Sequence, residues 1–199
     1  MKKKTFLQII LFTVSLMFCV TGCKKNNVAT DETENTDQVT ESSTETSVDA
    51  LTSFTCETID GGTFTEADFA NKDLTVINFW MTTCQPCIRE IPQLEEIKNS
   101  LPDNVQMVLE SLDDSYYIDD VREIIEQTGF SGTVMMCGDK DMEDLGKTLL
   151  YVPTTLFFDS QGNRVGPTMV GSPENIEESY TTTINDILTD MGKESEWKK

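Results

Sequence analysis

Cys84-Gln85-Pro86-Cys87 is the pattern in this chain with the clearest capacity for chemistry. Two thiols separated by two residues can close a small disulfide ring and reopen it, a two-electron redox couple. The thiolate is the attacking species, so whatever lowers a cysteine's pKa matters as much as the cysteine itself. Ahead of the pair runs Leu74-Thr-Val-Ile-Asn-Phe-Trp80, rich in β-branched and aromatic residues, which reads as a buried strand. Behind it Ile88, Ile91, Leu94, Ile97 and Leu101 recur at helical spacing. The pair is therefore predicted where a strand hands over to a helix N-terminus. There the unpaired amides and the helix dipole favour an anionic sulfur. A structural disulfide or half of a zinc site would use the same two residues. Zinc needs a second close pair, and Cys56 and Cys137 are isolated in sequence, so no metal is expected. Whether those two pair with each other stays open at this level.

The elements that must hold the pair follow from pattern and punctuation. Residues 54–59 and 63–64, on either side of Asp60-Gly61-Gly62, predict a β-hairpin, with a helical turn over 65–69. Further strands are predicted at 74–80, 105–109, 133–136, 154–158, 164–165 and 168–170. Helices are predicted at 84–100, 117–127, 142–149 and 173–191, the second stopped by Gly129. This order describes an α/β fold, a central mixed sheet flanked by helices, with an N-terminal hairpin and an αβ insertion. The turn signal near Gly162 puts an antiparallel pair at one side.

The 199-residue chain opens with Lys2-Lys3-Lys4, an apolar run from Phe6 to Val20, and Val20-Thr21-Gly22-Cys23. A basic start and a short apolar core describe an export leader, too short for a comfortable membrane span. Its end resembles the lipobox of bacterial lipoproteins, in which the cysteine is lipidated and becomes the mature N-terminus. The expected organisation is a leader over 1–22, lipidated Cys23 with an acidic tether over 23–52, and one folded domain over 53–199. The tether is almost wholly polar and cannot bury enough surface to offset its ordering entropy. The formal charge of −20 argues against nucleic-acid binding, and the leader's three lysines would leave with it. The absence of histidine removes Ser–His and Cys–His catalysis.

Two motifs together resemble the TlpA/ResA-like membrane-anchored branch of the thioredoxin superfamily. They are Trp80-x-x-x-Cys84-x-Pro86-Cys87-x-x-Glu90-x-Pro92 and Val152-Pro153-Thr154-Thr155-Leu-Phe-Phe-Asp159, and the resemblance covers about 53–191. It implies a thioredoxin-like fold without a cofactor, with Cys84 as the attacking thiolate and Cys87 as the resolving one. It implies a cis peptide before Pro153, with Val152, Pro153, Gln85 and Pro86 meeting the substrate. Asn78 stands where thioredoxin commonly has a buried aspartate, and an asparagine cannot hold a proton as a carboxylate can. Asp113 or Asp114, in the loop after the next strand, is the candidate proton relay. Thr83 replaces a tryptophan common in relatives.

The activity implied is thiol–disulfide exchange outside the cytoplasm, reducing partner-protein disulfides. A CcdA- or DsbD-like membrane thiol carrier would supply electrons. Apocytochromes c or a methionine sulfoxide reductase are the candidate clients, and a monomer at the outer face of the cytoplasmic membrane is expected. Three alternatives use the same fold: a disulfide-forming oxidase, a peroxidase of the peroxiredoxin type, and a non-catalytic binding lipoprotein. The peroxidase is disfavoured because Met81 occupies the position three residues before Cys84, where an activating Thr or Ser is needed.

Overall fold

The computed structural model describes residues 50–194 and Trp197. The expected leader, Cys23 and all but the last three residues of the expected tether lie outside the described residues. Among the described residues no helix is long and apolar enough to cross a membrane.

Seven strands form one sheet in the order β2-β1-β5-β4-β3-β6-β7. They are β1 (Thr55–Thr58), β2 (Thr63–Thr65), β3 (Leu74–Trp80), β4 (Val105–Ser111), β5 (Val134–Gly138), β6 (Thr154–Asp159) and β7 (Arg164–Val170). The helices are α1 (Glu66–Phe69), α2 (Gln85–Ser100), α3 (Ile118–Thr128), α4 (Lys140–Thr148) and α5 (Ile176–Asp190). β3 is buried along its whole length, as its unbroken apolar run requires of a strand covered on both faces. It pairs in parallel with β4 and antiparallel with β6, while β4 pairs in parallel with β5. The β1–β2 hairpin joins β5 and so extends the far edge. The mixed α/β sheet expected from the element order is observed, and it is the thioredoxin-like fold that the resemblance implies.

Alternation along β3 sorts the core into two halves. Leu74, Val76 and Trp80 pack with Ile91 and Leu94 of α2, Val121 of α3, and Tyr180 and Ile184 of α5. Ile77 and Phe79 pack on the other face with Phe54, Phe69, Phe158, Met142 and Leu145. Each such side chain contributes roughly 1.5–3 kcal/mol on burial. Cys56 is buried in this second half. The register places it opposite Gly138, so the strands that carry Cys56 and Cys137 run side by side.

Three features differ from the pattern reading. Packing extends into residues that composition assigned to the tether, because Leu51 is buried and its amide donates to Gly162 O at 2.8 Å. β7 runs unbroken through Gly166-Pro167, where sequence suggested two pieces. An edge strand tolerates proline, and Gly166 at φ 65° leaves room for Ile187 of α5, which a Cβ there would meet at 2.4 Å. A single 3-10 turn over Ser115–Tyr117, capped by Asp114, precedes α3. Its signal is the capping aspartate, in a segment too short for any periodicity.

Candidate functional site: a disulfide at a helix N-terminus

The site forms where β3 ends and α2 begins. Cys84 is the residue that caps α2, and its Sγ accepts from the Cys87 amide at 3.3 Å. Pro86 sits in the first turn, where its missing N–H removes no helical bond. That turn carries no acidic residue, although the chain has 35 of them. No carboxylate in that turn therefore competes with the sulfur for the positive end of the helix. Cys84 and Cys87 are joined by a disulfide. Cys84 is partly exposed and Cys87 fully buried, with Thr83, Gln85 and Pro86 exposed around them.

The second half of the site comes from 68 residues downstream. Cys84 Sγ lies 3.5 Å from the carbonyl oxygen of Val152, just before the cis Val152–Pro153 peptide. A disulfide sulfur has no proton to give, so this is a contact and not a hydrogen bond. The Pro153 carbonyl accepts from Gly171 N at 2.8 Å. Leu150 and Tyr151, next along the chain, are strongly exposed apolar residues. A groove of about 740 Å³ runs past Pro86, Arg89, Glu90, Val152, Pro153 and Ser172. The structure thus brings Cys84, Cys87, Pro86, Val152 and Pro153 together, with Gln85 exposed on the same turn.

A buried polar network links β3, α2, β6 and α5. The side-chain amide of Asn78 donates to Glu90 Oε1 at 2.9 Å and to Thr155 Oγ1 at 3.1 Å, and lies 3.4 Å from the Tyr180 hydroxyl. Thr155 Oγ1 and Tyr180 OH are 2.6 Å apart. Burial raises the pKa of Glu90, against the opposing pull of the Ser172 hydroxyl and the Asn78 amide. Tyr180 is raised as well, by burial first and by the neighbouring Glu90 charge second. Removing the hydroxyl in Tyr180→Phe should cost about 1–2 kcal/mol, seen as a lower urea midpoint. An unchanged midpoint would mean that Thr155 and Asn78 satisfy each other without it.

Glu90 is the buried acid that pattern reading left without a role. It lies three residues after Cys87, on the helix face that also carries Ile91 and Leu94, and that spacing was the available signal. The two loop aspartates are held by hydrogen bonds of their own. Asp113 accepts from Thr82 N at 2.8 Å, Thr82 Oγ1 at 2.9 Å and Ser111 Oγ at 2.9 Å. It fastens the 81–83 loop, which presents Cys84, to the end of β4. Asp114 accepts from Tyr116 N at 2.8 Å. Among the described residues' hydrogen bonds, none joins either aspartate to Cys84 or Cys87.

Solved structures with this architecture include several redox proteins. A candidate thioredoxin from Neisseria meningitidis matches at 26% identity and TM-score 0.56, over 71% of this chain and 93% of that one. A secreted Mycobacterium tuberculosis disulfide oxidoreductase homologous to E. coli DsbE matches at 18% identity and TM-score 0.54, over 68% and 97%. StoA from Bacillus subtilis matches at 22% identity and TM-score 0.51, over 65% and 96%. No curated protein matches the chain significantly. The model of the AhpC/TSA family matches residues 48–164, more than half of the sequence, and the chain belongs to that family.

Proposed function

We propose that this protein is a lipid-anchored, extracytoplasmic thiol–disulfide oxidoreductase that reduces disulfides in partner proteins. The observation that carries the reading is the Cys84–Cys87 disulfide at the start of α2, with Cys84 Sγ 3.5 Å from the Val152 carbonyl. In the reduced protein the Cys84 thiolate attacks one sulfur of a client disulfide. The client S–S bond breaks, a mixed disulfide forms, and the leaving thiolate takes a proton. Cys87 then loses its proton and attacks Cys84 Sγ. The second client thiol leaves, and the Cys84–Cys87 bond closes. Two electrons and two protons pass to the client.

In this reading Val152 and Pro153, with Gln85 and Pro86, border the client segment. Glu90, one helical turn after Cys87, would take up the Cys87 proton as its carboxylate, which burial makes more basic than an ordinary one. Asp113 acts through Thr82, as a positioning residue. Lipid on Cys23 holds the monomer at the outer face of the cytoplasmic membrane. A CcdA- or DsbD-like carrier returns electrons to the disulfide, and an apocytochrome c or a methionine sulfoxide reductase is the client.

Two measurements test this. Cys87→Ala, which cannot resolve the mixed disulfide, should accumulate clients linked to Cys84, visible as reductant-sensitive adducts. Recovery of none counts against exchange. The midpoint potential of the pair decides direction: a value near about −120 mV, as in strong oxidants, would sink the reductase reading and favour disulfide formation.

A further inference from the structure

A second pocket opens at the end of the sheet that carries the disulfide. β3, β4 and β5 run parallel and end at Trp80, Ser111 and Gly138. The pocket, about 490 Å³, lies beyond the ends of β4 and β5, between the 111–115 loop and α4. Glu110, Leu112, Gly138, Met142 and Gly146 line it. Glu110 is 2% exposed, and its Oε2 has no hydrogen-bond partner. The strand register explains the isolation. Glu110 sits between Phe79 and Met135, on the apolar face that packs Met142 and Leu145. Burial alone pushes its pKa to about 8.

The charged groups lining the pocket narrow the ligand. Asp113 and Asp114 come from the loop, Glu143 and Lys147 from α4. Asp113 is engaged by Thr82 and Ser111, and Lys147 is paired with Glu143 and Asp144. An anion would meet three further acids besides Glu110. Among the described residues no three acidic, cysteine or histidine side chains converge as metal ligands. Met142 and Leu112 give the walls an apolar character suited to an alkyl stem. Gly146 keeps the space open, since a Cβ there would meet Leu112 Cδ2 at 2.9 Å. A glycine inside a helix costs about 1 kcal/mol relative to alanine, so the opening is kept against local propensity.

We propose that this pocket binds an organic cation, an alkylammonium or alkylguanidinium group, with Glu110 as its buried counter-ion. On binding, the Glu110 carboxyl gives its proton to solvent, and the cation's N–H groups donate to both carboxylate oxygens. The cation is either the end of a client's lysine or arginine side chain or a free amine.

Butylammonium and ethylguanidinium titrated into the full chain should shift the Glu110 carboxyl resonance saturably at pH 8. Glu110→Gln should weaken binding at least tenfold. In the unmodified protein, affinity should fall about tenfold per pH unit from pH 7 to pH 6, as the neutral acid must be ionised first. That profile decides the matter even if the variant does not fold. A non-saturating response that sodium chloride reproduces overturns the site, as does binding indifferent to both pH and Glu110→Gln. The titration does not depend on the redox reading. The source is read by comparing reduction rates of two cystine peptides, identical except for lysine or norleucine. A lysine advantage lost in Glu110→Gln assigns a client side chain, and equal rates with intact cation binding assign a free amine.

Discussion

Replacing Cys84 by serine is expected to reduce disulfide exchange to the uncatalysed background, a loss on the order of 10³-fold or more. Serine preserves the size of the side chain and its place at the head of α2. It cannot supply an anion there, because a hydroxyl stays protonated in a field that is strong enough to ionise a thiol. Cys87→Ala should behave differently. Cys84 remains partly exposed and beside Val152, so attack on a client proceeds and stops at the mixed disulfide. The pair of outcomes, no adduct with one variant and accumulated adduct with the other, separates attacking from resolving sulfur. Equal adduct yields in Cys84→Ser would overturn the assignment. Rapid peroxide consumption by Cys87→Ser would instead mark Cys84 as a peroxidatic sulfur.

The second large effect is on stability against pH. Burial pushes the Glu110 carboxyl up to about 8 in the folded protein, against the ordinary glutamate value of about 4.5 in the unfolded chain. Between those values the folded protein holds a proton that the unfolded chain has released. Stability is therefore greatest below about pH 4.5 on this account and declines as pH rises towards 8. The slope is about 1.4 kcal/mol per pH unit, several kcal/mol over the window. Glu90, raised by the same cause, adds to the lower part of the decline. Asp60, Asp73, Glu95 and Asp144 are shifted downwards and so titrate below this window. Urea midpoints measured from pH 5 to pH 8 should fall steeply in the unmodified protein and much less in Glu110→Gln. Parallel curves for the two would show that Glu110 is not held neutral.

Much of this was legible because the site sits where patterns change. The apolar run of β3, the helical spacing behind Cys87 and the Gly162 turn each have one dominant period or breaker, and each was found within a residue or two. Pro153 could be placed beside Cys84 only by resemblance, since no local rule joins residues 69 apart. The buried acids were the harder part. Glu90 and Glu110 look like ordinary surface residues by type, and only register shows that β4 turns Glu110 into an apolar layer. Asp113 is legible as a candidate relay from its place in the chain, and its three hydrogen bonds, which tie the 81–83 loop to the end of β4, emerge only from the fold.

The two halves of the site meet through the sheet itself. Phe79 of β3 is the register partner of Thr154 of β6, so the strand that leads into the cysteines and the strand that follows Pro153 share one rung. The distance from Cys84 to Val152 is thus inherited from a backbone ladder buried on both faces. This makes the reacting geometry and the recognition surface separable to an engineer. On the proposed function, exchanging Thr83, Leu150 or Tyr151 is expected to change which partner docks, while the sulfur keeps its place. A single-residue deletion within β6 would do the reverse, leaving the exposed surface nearly untouched and moving Val152 out of reach.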